Sequence, residues 1–261
     1  MVTKAVISST DKRLGRQINH DSRSLNYTFN IKGLKVISTV HSRHIGILDQ
    51  GRVGSCTGNA GIGALATDPL FQSLNNETVY ALNETGALKL YSDAETIDGD
   101  GPYPPQDNGS SGLSIAKALK KAGIISSYQH AFDSLTAITA LSQYPFIFGT
   151  YWYNGMFTPD ADGRVHLNGS IAGGHEILCR EVDAVNQRLW FDNSWGTSWG
   201  VNGRFYLTFA DFDILLKRSG DVIIFIPSTI TPPTPSPVAV LTDDQKLAVA
   251  LRIWLQAKGY K

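Results

Sequence analysis

Cys56 stands in Gln50-Gly-Arg-Val-Gly-Ser-Cys56-Thr-Gly-Asn-Ala and is one of two cysteines in a chain of 261 residues. A thiolate that attacks an acyl carbon needs a base, a group that orients the base, and donors for the developing oxyanion. The chain offers one candidate for each role. Cys56 is the nucleophile. His175, directly after Gly173-Gly174, is the base and later the acid for the leaving amine. Asn193, at the end of the following apolar run, can accept from the imidazole and hold its orientation. The Gln50 side-chain amide and the Cys56 backbone N–H are the expected oxyanion donors. Trp195, close behind Asn193, is placed to shield the His–Asn hydrogen bond, which a low local dielectric strengthens.

The elements around these residues divide the chain in two. Residues 1–35 are polar and mixed, and read as an extended leader wrapped on the surface. Residues 36–228 form the main domain, with a helical lobe over about 50–144 and a β lobe over about 145–228. Ile45–Gln50 is a short strand-like approach to the cysteine. From Cys56 onward Gly58, Gly61 and Gly63 alternate with Ala60, Ile62, Leu65 and Ala66. Glycine weakens a helix by ~1 kcal/mol relative to alanine, but it also lets neighbouring backbones come close. The segment therefore reads as a buried helix whose N-terminus favours thiolate.

Val79–Leu90 reads as an amphipathic helix, 97–112 as a long loop, and Ser114–Ala122 as a second short helix stopped by Gly123. Its three lysines read as a solvated face. Strands are expected at 145–151, 175–183, 188–193, 203–209 and 221–226. His175 and Asn193 then fall on successive strands. Cys179 lies mid-strand and reads as core, as does Trp199. Asp192 points away from Asn193 and reads as structural, and Asp160-Ala-Asp162-Gly163 reads as a turn. Thr229–Pro237 carries four prolines, so 229–240 is a stiff linker. Residues 241–261 form a terminal helix capped by Thr242. It is apolar on more than one face and is expected to dock on a partner or on a second copy.

Gln50-x5-Cys56, Gly-Gly-His175 and Asn193-Ser-Trp-Gly-Thr-Ser-Trp-Gly-Val-Asn-Gly203 together resemble the papain superfamily of cysteine peptidases. His175 and Asn193 lie about 120 and 140 residues after Cys56, near the family's spacing of roughly 130–150. The resemblance covers about residues 40–226. It implies an α+β fold with a helical left lobe, an antiparallel β-barrel right lobe and a cleft between them. It implies hydrolysis of peptide bonds through a thioester, without a cofactor or metal. It also implies that Gly109, Ser110 and Ser111 line the substrate cleft, with Gly174 and Trp195 as further contacts. Val53 and Thr57 stand where the family has a cysteine and a tryptophan, and Ser110-Ser111 replaces its glycine pair. About 40 residues precede the motif, fewer than the long propeptides of secreted relatives. The chain is thus expected to be active as made, or restrained by its short leader.

Composition narrows the partners. Lys+Arg and Asp+Glu are both 23, which argues against chain-wide attraction to nucleic acid or an anionic membrane. No apolar run reaches the roughly 20 residues of a membrane span. No secretory signal opens the chain, and two cysteines build no disulfide framework. The expected setting is the cytoplasm, or a host cytoplasm or virion for a phage-encoded protein. A peptide or protein substrate is the first expectation. Two others use the same residues: a virion or assembly protein that exploits the fold for docking, and a hydrolase of cell-wall peptides or isopeptides.

Overall fold

The structure is a computed structural model and describes residues 2–74 and 78–228. The linker and helix expected over 229–261 lie outside these residues. The leader is a two-stranded antiparallel ribbon, β1 (Val2–Ala5) with β2 (Ile18–Asp21), whose connecting loop spans residues 6–17. After β3 (Thr39–Val40) come the helices α1 (Cys56–Leu65), α2 (Leu70–Ser73), α3 (Glu84–Asp98) and α4 (Gly112–Lys121). The remainder is mostly strand: β4 (Ile125–Ala131), β5 (Phe146–Tyr153), β6 (Ile171–Asp183), β7 (Arg188–Asp192), β8 (Arg204–Thr208) and β9 (Asp221–Pro227). Two helices, α5 (Ser134–Ala140) and α6 (Phe209–Lys217), interrupt it.

The strands form one antiparallel sheet in the order β4-β9-β5-β6-β7-β8, with β3 added against β6. The sheet is open. This corrects the expected β-barrel: β4 and β8 are separate edges, and no pairing joins them.

Strand alternation separates two cores, because successive side chains leave opposite faces of a sheet. Phe146, Phe148, Ile177, Cys179, Val222 and Ile224 enter one core with Trp152, Phe191, Phe205 and Phe212. Ile147, Leu178, Ile223 and Phe225 enter the other, which Ile62, Leu65, Leu90, Ile115 and Leu119 complete from the helices. The central strands therefore read as continuous apolar runs, buried on both sides.

Helix α1 is buried along its whole length. A Cβ on Gly58 would lie 2.2 Å from the Ala87 carbonyl oxygen, and one on Gly61 would lie 2.8 Å from both Ile115 and Leu90. The glycines thus let α3 and α4 close on α1. α3 runs over 84–98 rather than 79–90, because Asn83 caps it by accepting from the Gly86 N–H. α4 begins at Gly112, with Ser111 as the cap that accepts from the Ser114 N–H. No strand forms at 45–50. That stretch runs without ladder pairing and makes one isolated bridge, Asp49 to Trp195.

Candidate active site

Cys56 is the first residue of α1 and has no exposed surface. Its sulfur lies against the backbone N–H groups of Glu176, Gly15 and Thr57. Glu176 follows His175 on β6, so the start of α1 meets the strand that carries the imidazole. His175 is also fully buried, and its Nε2 is 2.7 Å from Asn193 Oδ1. An amide oxygen only accepts, so Nε2 carries the proton and Nδ1 keeps the lone pair. Nδ1 is buried without a hydrogen-bond partner. The Asn193 oxygen also accepts from the Ser194 N–H at 2.8 Å, which fixes the amide's direction.

Trp195 packs on His175 with ring centroids 4.8 Å apart, and Trp152 meets the imidazole edge-on at 4.9 Å. Gln50 is buried, and its Oε1 accepts from Ser194 Oγ at 2.7 Å. Its Nε2 has two N–H groups. One goes to the Val53 carbonyl at 2.7 Å and the other to the Arg13 carbonyl at 3.1 Å.

Arg13 belongs to the leader, most of which is exposed or half-buried, and the expectation of a surface-wrapped leader is corrected only for the stretch that follows it. Leu14, Gly15 and Arg16 are buried. Gly15 O accepts from the Ser110 N–H at 2.9 Å, and Gln17 N–H donates to the Ser110 carbonyl at 2.7 Å. Arg16 N–H donates to the Gly174 carbonyl at 3.1 Å. A Cβ on Gly15 would lie 2.0 Å from the Gly54 carbonyl oxygen, so only glycine fits at this crossing. The leader loop therefore runs between Ser110 on the helical side and Gly174 on the sheet, over the cysteine. The polarity of the leader hid this path, because main-chain pairing has no apolar signature.

Burial governs the titration of the pair. It pushes the Cys56 thiol up to about 12, against the smaller opposing help of the Glu176 N–H. It pulls His175 down to about 4, while the Asn193 hydrogen bond works the other way. With the leader seated, the thiol and the imidazole are both neutral at pH 7.

The other expected contacts separate. Gly109 and Ser110 reach the leader: a Cβ on Gly109 would lie 2.1 Å from Gly15 O, and Ser110 pairs with it through backbone. Ser111 caps α4, with its hydroxyl on Ser114 and Asn19. Asp192 accepts from Arg43, Arg180 and Arg204 and stays apart from the imidazole. Cys179 is buried in the β core, and Trp199 packs against Trp152, Trp195 and Phe205. His41 and His44 take different partners, the Leu141 carbonyl and Asp68. Asp160–Gly163 closes a turn through Gly163 N–H to Asp160 O.

Three groups went unread in the sequence: Arg16, Glu176 and Asp221. A glutamate inside the apolar run His175-Glu-Ile-Leu-Cys is the signal that could have found them, since a buried carboxylate requires a partner.

The fold is that of the papain-like cysteine proteases. Xylellain, a cysteine protease from Xylella fastidiosa, matches with a TM-score of 0.67 and 19% identity, over 86% of this chain and 100% of that one. Digestive procathepsin L 3 of Tenebrio molitor larval midgut matches at 0.59 and 12% identity, over 85% of this chain and 83% of that one. Procathepsin B S9 from Trypanosoma congolense matches at 0.54 and 12% identity, over 87% of each chain. No protein-family model matches the sequence, and no curated protein does. Among the described residues no helix is long and apolar enough to cross a membrane.

Proposed function

We propose that the chain is a cysteine peptidase, held in a latent state by its own leader. Cys56 is the nucleophile, His175 the acid–base and Asn193 its orienting partner. The observation that carries this reading is the His175–Asn193 hydrogen bond beside the first residue of α1, in a fold shared with cysteine proteases.

In the working state His175 Nδ1 takes the thiol proton, and the sulfur attacks a peptide carbonyl carbon. The oxyanion takes the Cys56 N–H and one N–H of Gln50 Nε2. His175 then returns the proton to the leaving amine, which departs and leaves a thioester. Water, deprotonated by His175, attacks the thioester; the carboxylic acid leaves and the thiol is restored.

The leader lies at two of these positions. The Arg13 carbonyl uses the Gln50 N–H, and the Gly15 backbone N–H contributes a hydrogen bond to the buried sulfur. Once the leader leaves, one Gln50 donor is freed while the Val53 bond keeps the amide in place.

Casein and fluorogenic peptides test the assignment. Hydrolysis by the leader-unseated variant Gly15→Val is expected to fall at least about a thousandfold when Cys56→Ala is added. Unchanged hydrolysis in that variant would sink it.

A further inference from the structure

The sheet register places two carboxylates on one row across three strands. Gly149 of β5 pairs with Glu176 of β6 on one side and with Asp221 of β9 on the other. The strands flanking β5 are about 10 Å apart, twice the usual strand spacing. With no side chain at Gly149, the gap between the two acids is open. Gly112 at the start of α4 widens it: a Cβ there would lie 2.6 Å from Glu176 Oε1 and 3.2 Å from Asp221 Oδ2.

The Arg16 side chain fills this gap and is fully buried. Its Nη2 donates to Asp221 Oδ1, and to the Ser219 carbonyl at 2.8 Å. Its Nε lies over Gly149 beside Glu176 Oε2: a Cβ on Gly149 would be 2.6 Å from the one and 2.7 Å from the other. Arg16 Nε and Nη1 and both Glu176 oxygens are buried without hydrogen bonds. The row therefore sets two carboxyl groups against one guanidinium, and only Asp221 takes a hydrogen bond from it. Burial, then the neighbouring Asp221, drives the Glu176 carboxyl well above the usual range, while Arg16 opposes both.

We propose that Glu176, Asp221 and the Ser219 carbonyl form a guanidinium-selective subsite beside Cys56. The substrates are then arginine-bearing peptides, and Arg16 takes the subsite in their place. The proposal rests on reading the chain as a peptidase, and it names the substrate class. Arg16 is the neighbour of Gly15, which faces the sulfur, so a substrate arginine in this subsite stands next to the residue at Cys56. The planar fork of Arg16 reaches Asp221 and the Ser219 carbonyl with one nitrogen and leaves Nε and Nη1 over for Glu176, whereas the compact ammonium of lysine is a single point charge.

Binding tests the subsite without the chemistry. In the full chain carrying Arg16→Ala, N-acetyl-arginine amide is expected to raise Tm by about 3 °C at saturating concentration. The neutral isostere N-acetyl-citrulline amide is expected to leave Tm unchanged. Equal shifts with both compounds, or a shift with neither, overturn the subsite whether or not Cys56 is a nucleophile. If Arg16→Ala does not fold, Gly15→Val, which dislodges the leader backbone, takes its place in the same measurement.

Hydrolysis gives the second arm. In Gly15→Val, whose leader is unseated, peptides with arginine, citrulline or leucine next to the cleaved residue are expected to favour arginine in kcat/KM by about tenfold or more. Asp221→Asn is expected to reduce the arginine-to-leucine ratio by a similar factor of about ten. Arginine-selective binding with no hydrolysis upholds the subsite and defeats the peptidase reading. Hydrolysis indifferent to arginine does the reverse.

Discussion

Gly15 sets an amide N–H against the Cys56 sulfur, and its lack of a side chain is what permits the approach. Gly15→Val is therefore expected to unseat the leader and readmit water to the pair. At pH 7 iodoacetamide should alkylate Cys56 in that variant about tenfold faster or more than in the parent chain. Cys179, buried in the β core, should stay unlabelled in both. The parent chain should show its own pH signature. A thiol pushed up to about 12 stays protonated until strongly alkaline pH, so its alkylation rate should climb about tenfold per pH unit from 7 to 9 without levelling. A plateau below pH 9 in the parent chain, found by mass spectrometry of the labelled peptide, would contradict the seated state. Cys56, His175, Asn193 and Gln50 each stand in a recognisable local string, and of these the structure joins His175 to Asn193 by a hydrogen bond. Arg16, Glu176 and Asp221 were not legible, because the sheet register that aligns them across Gly149 joins residues far apart in sequence.

Helix α1 forms where the sequence reading placed a buried helix. Its glycines argue against a helix by propensity, and the packing of α3 and α4 against them overrides that preference. Gly58→Ala puts a methyl group against the rigid Ala87 carbonyl, so the cost is overpacking rather than a gain in helix propensity. The expected loss is about 1–3 kcal/mol, measured by urea unfolding. A variant as stable as the parent would mean that α3 can shift without penalty. Among the strands, the expected runs at 145–151, 175–183, 188–193, 203–209 and 221–226 all lie within or close to observed strands. β4 went unread because Ile125–Ala131 is mostly polar, and its strand state comes from pairing with β9. α6 went unread because Phe209–Lys217 follows an apolar strand without a break in composition.

At the scale of the whole molecule, His41 ties the leader side of the chain to the β lobe. Its backbone N–H donates to the Arg180 carbonyl, and its ring meets the Leu141 carbonyl at 2.9 Å. Burial pulls its pKa down to about 4. The unfolded chain therefore binds this proton more tightly, and stability is lost as pH falls from about 6.5 towards 4. The share due to His41 is roughly 3 kcal/mol. Urea unfolding at pH 7 and pH 4 should show the parent losing about that much more than His41→Gln. Equal losses in the two chains would remove His41 from the account. The proposed inhibition by the leader has a separate consequence, because the leader is covalently tied to its target. An inhibitor on the same chain acts at a fixed effective concentration, on the order of millimolar for a short tether. Dilution then releases no activity, and activity per molecule should be the same from micromolar to nanomolar protein. On the proposed latent reading, a switch acts on the tether or on the seat itself, and the amount of protein made sets only how many closed copies wait.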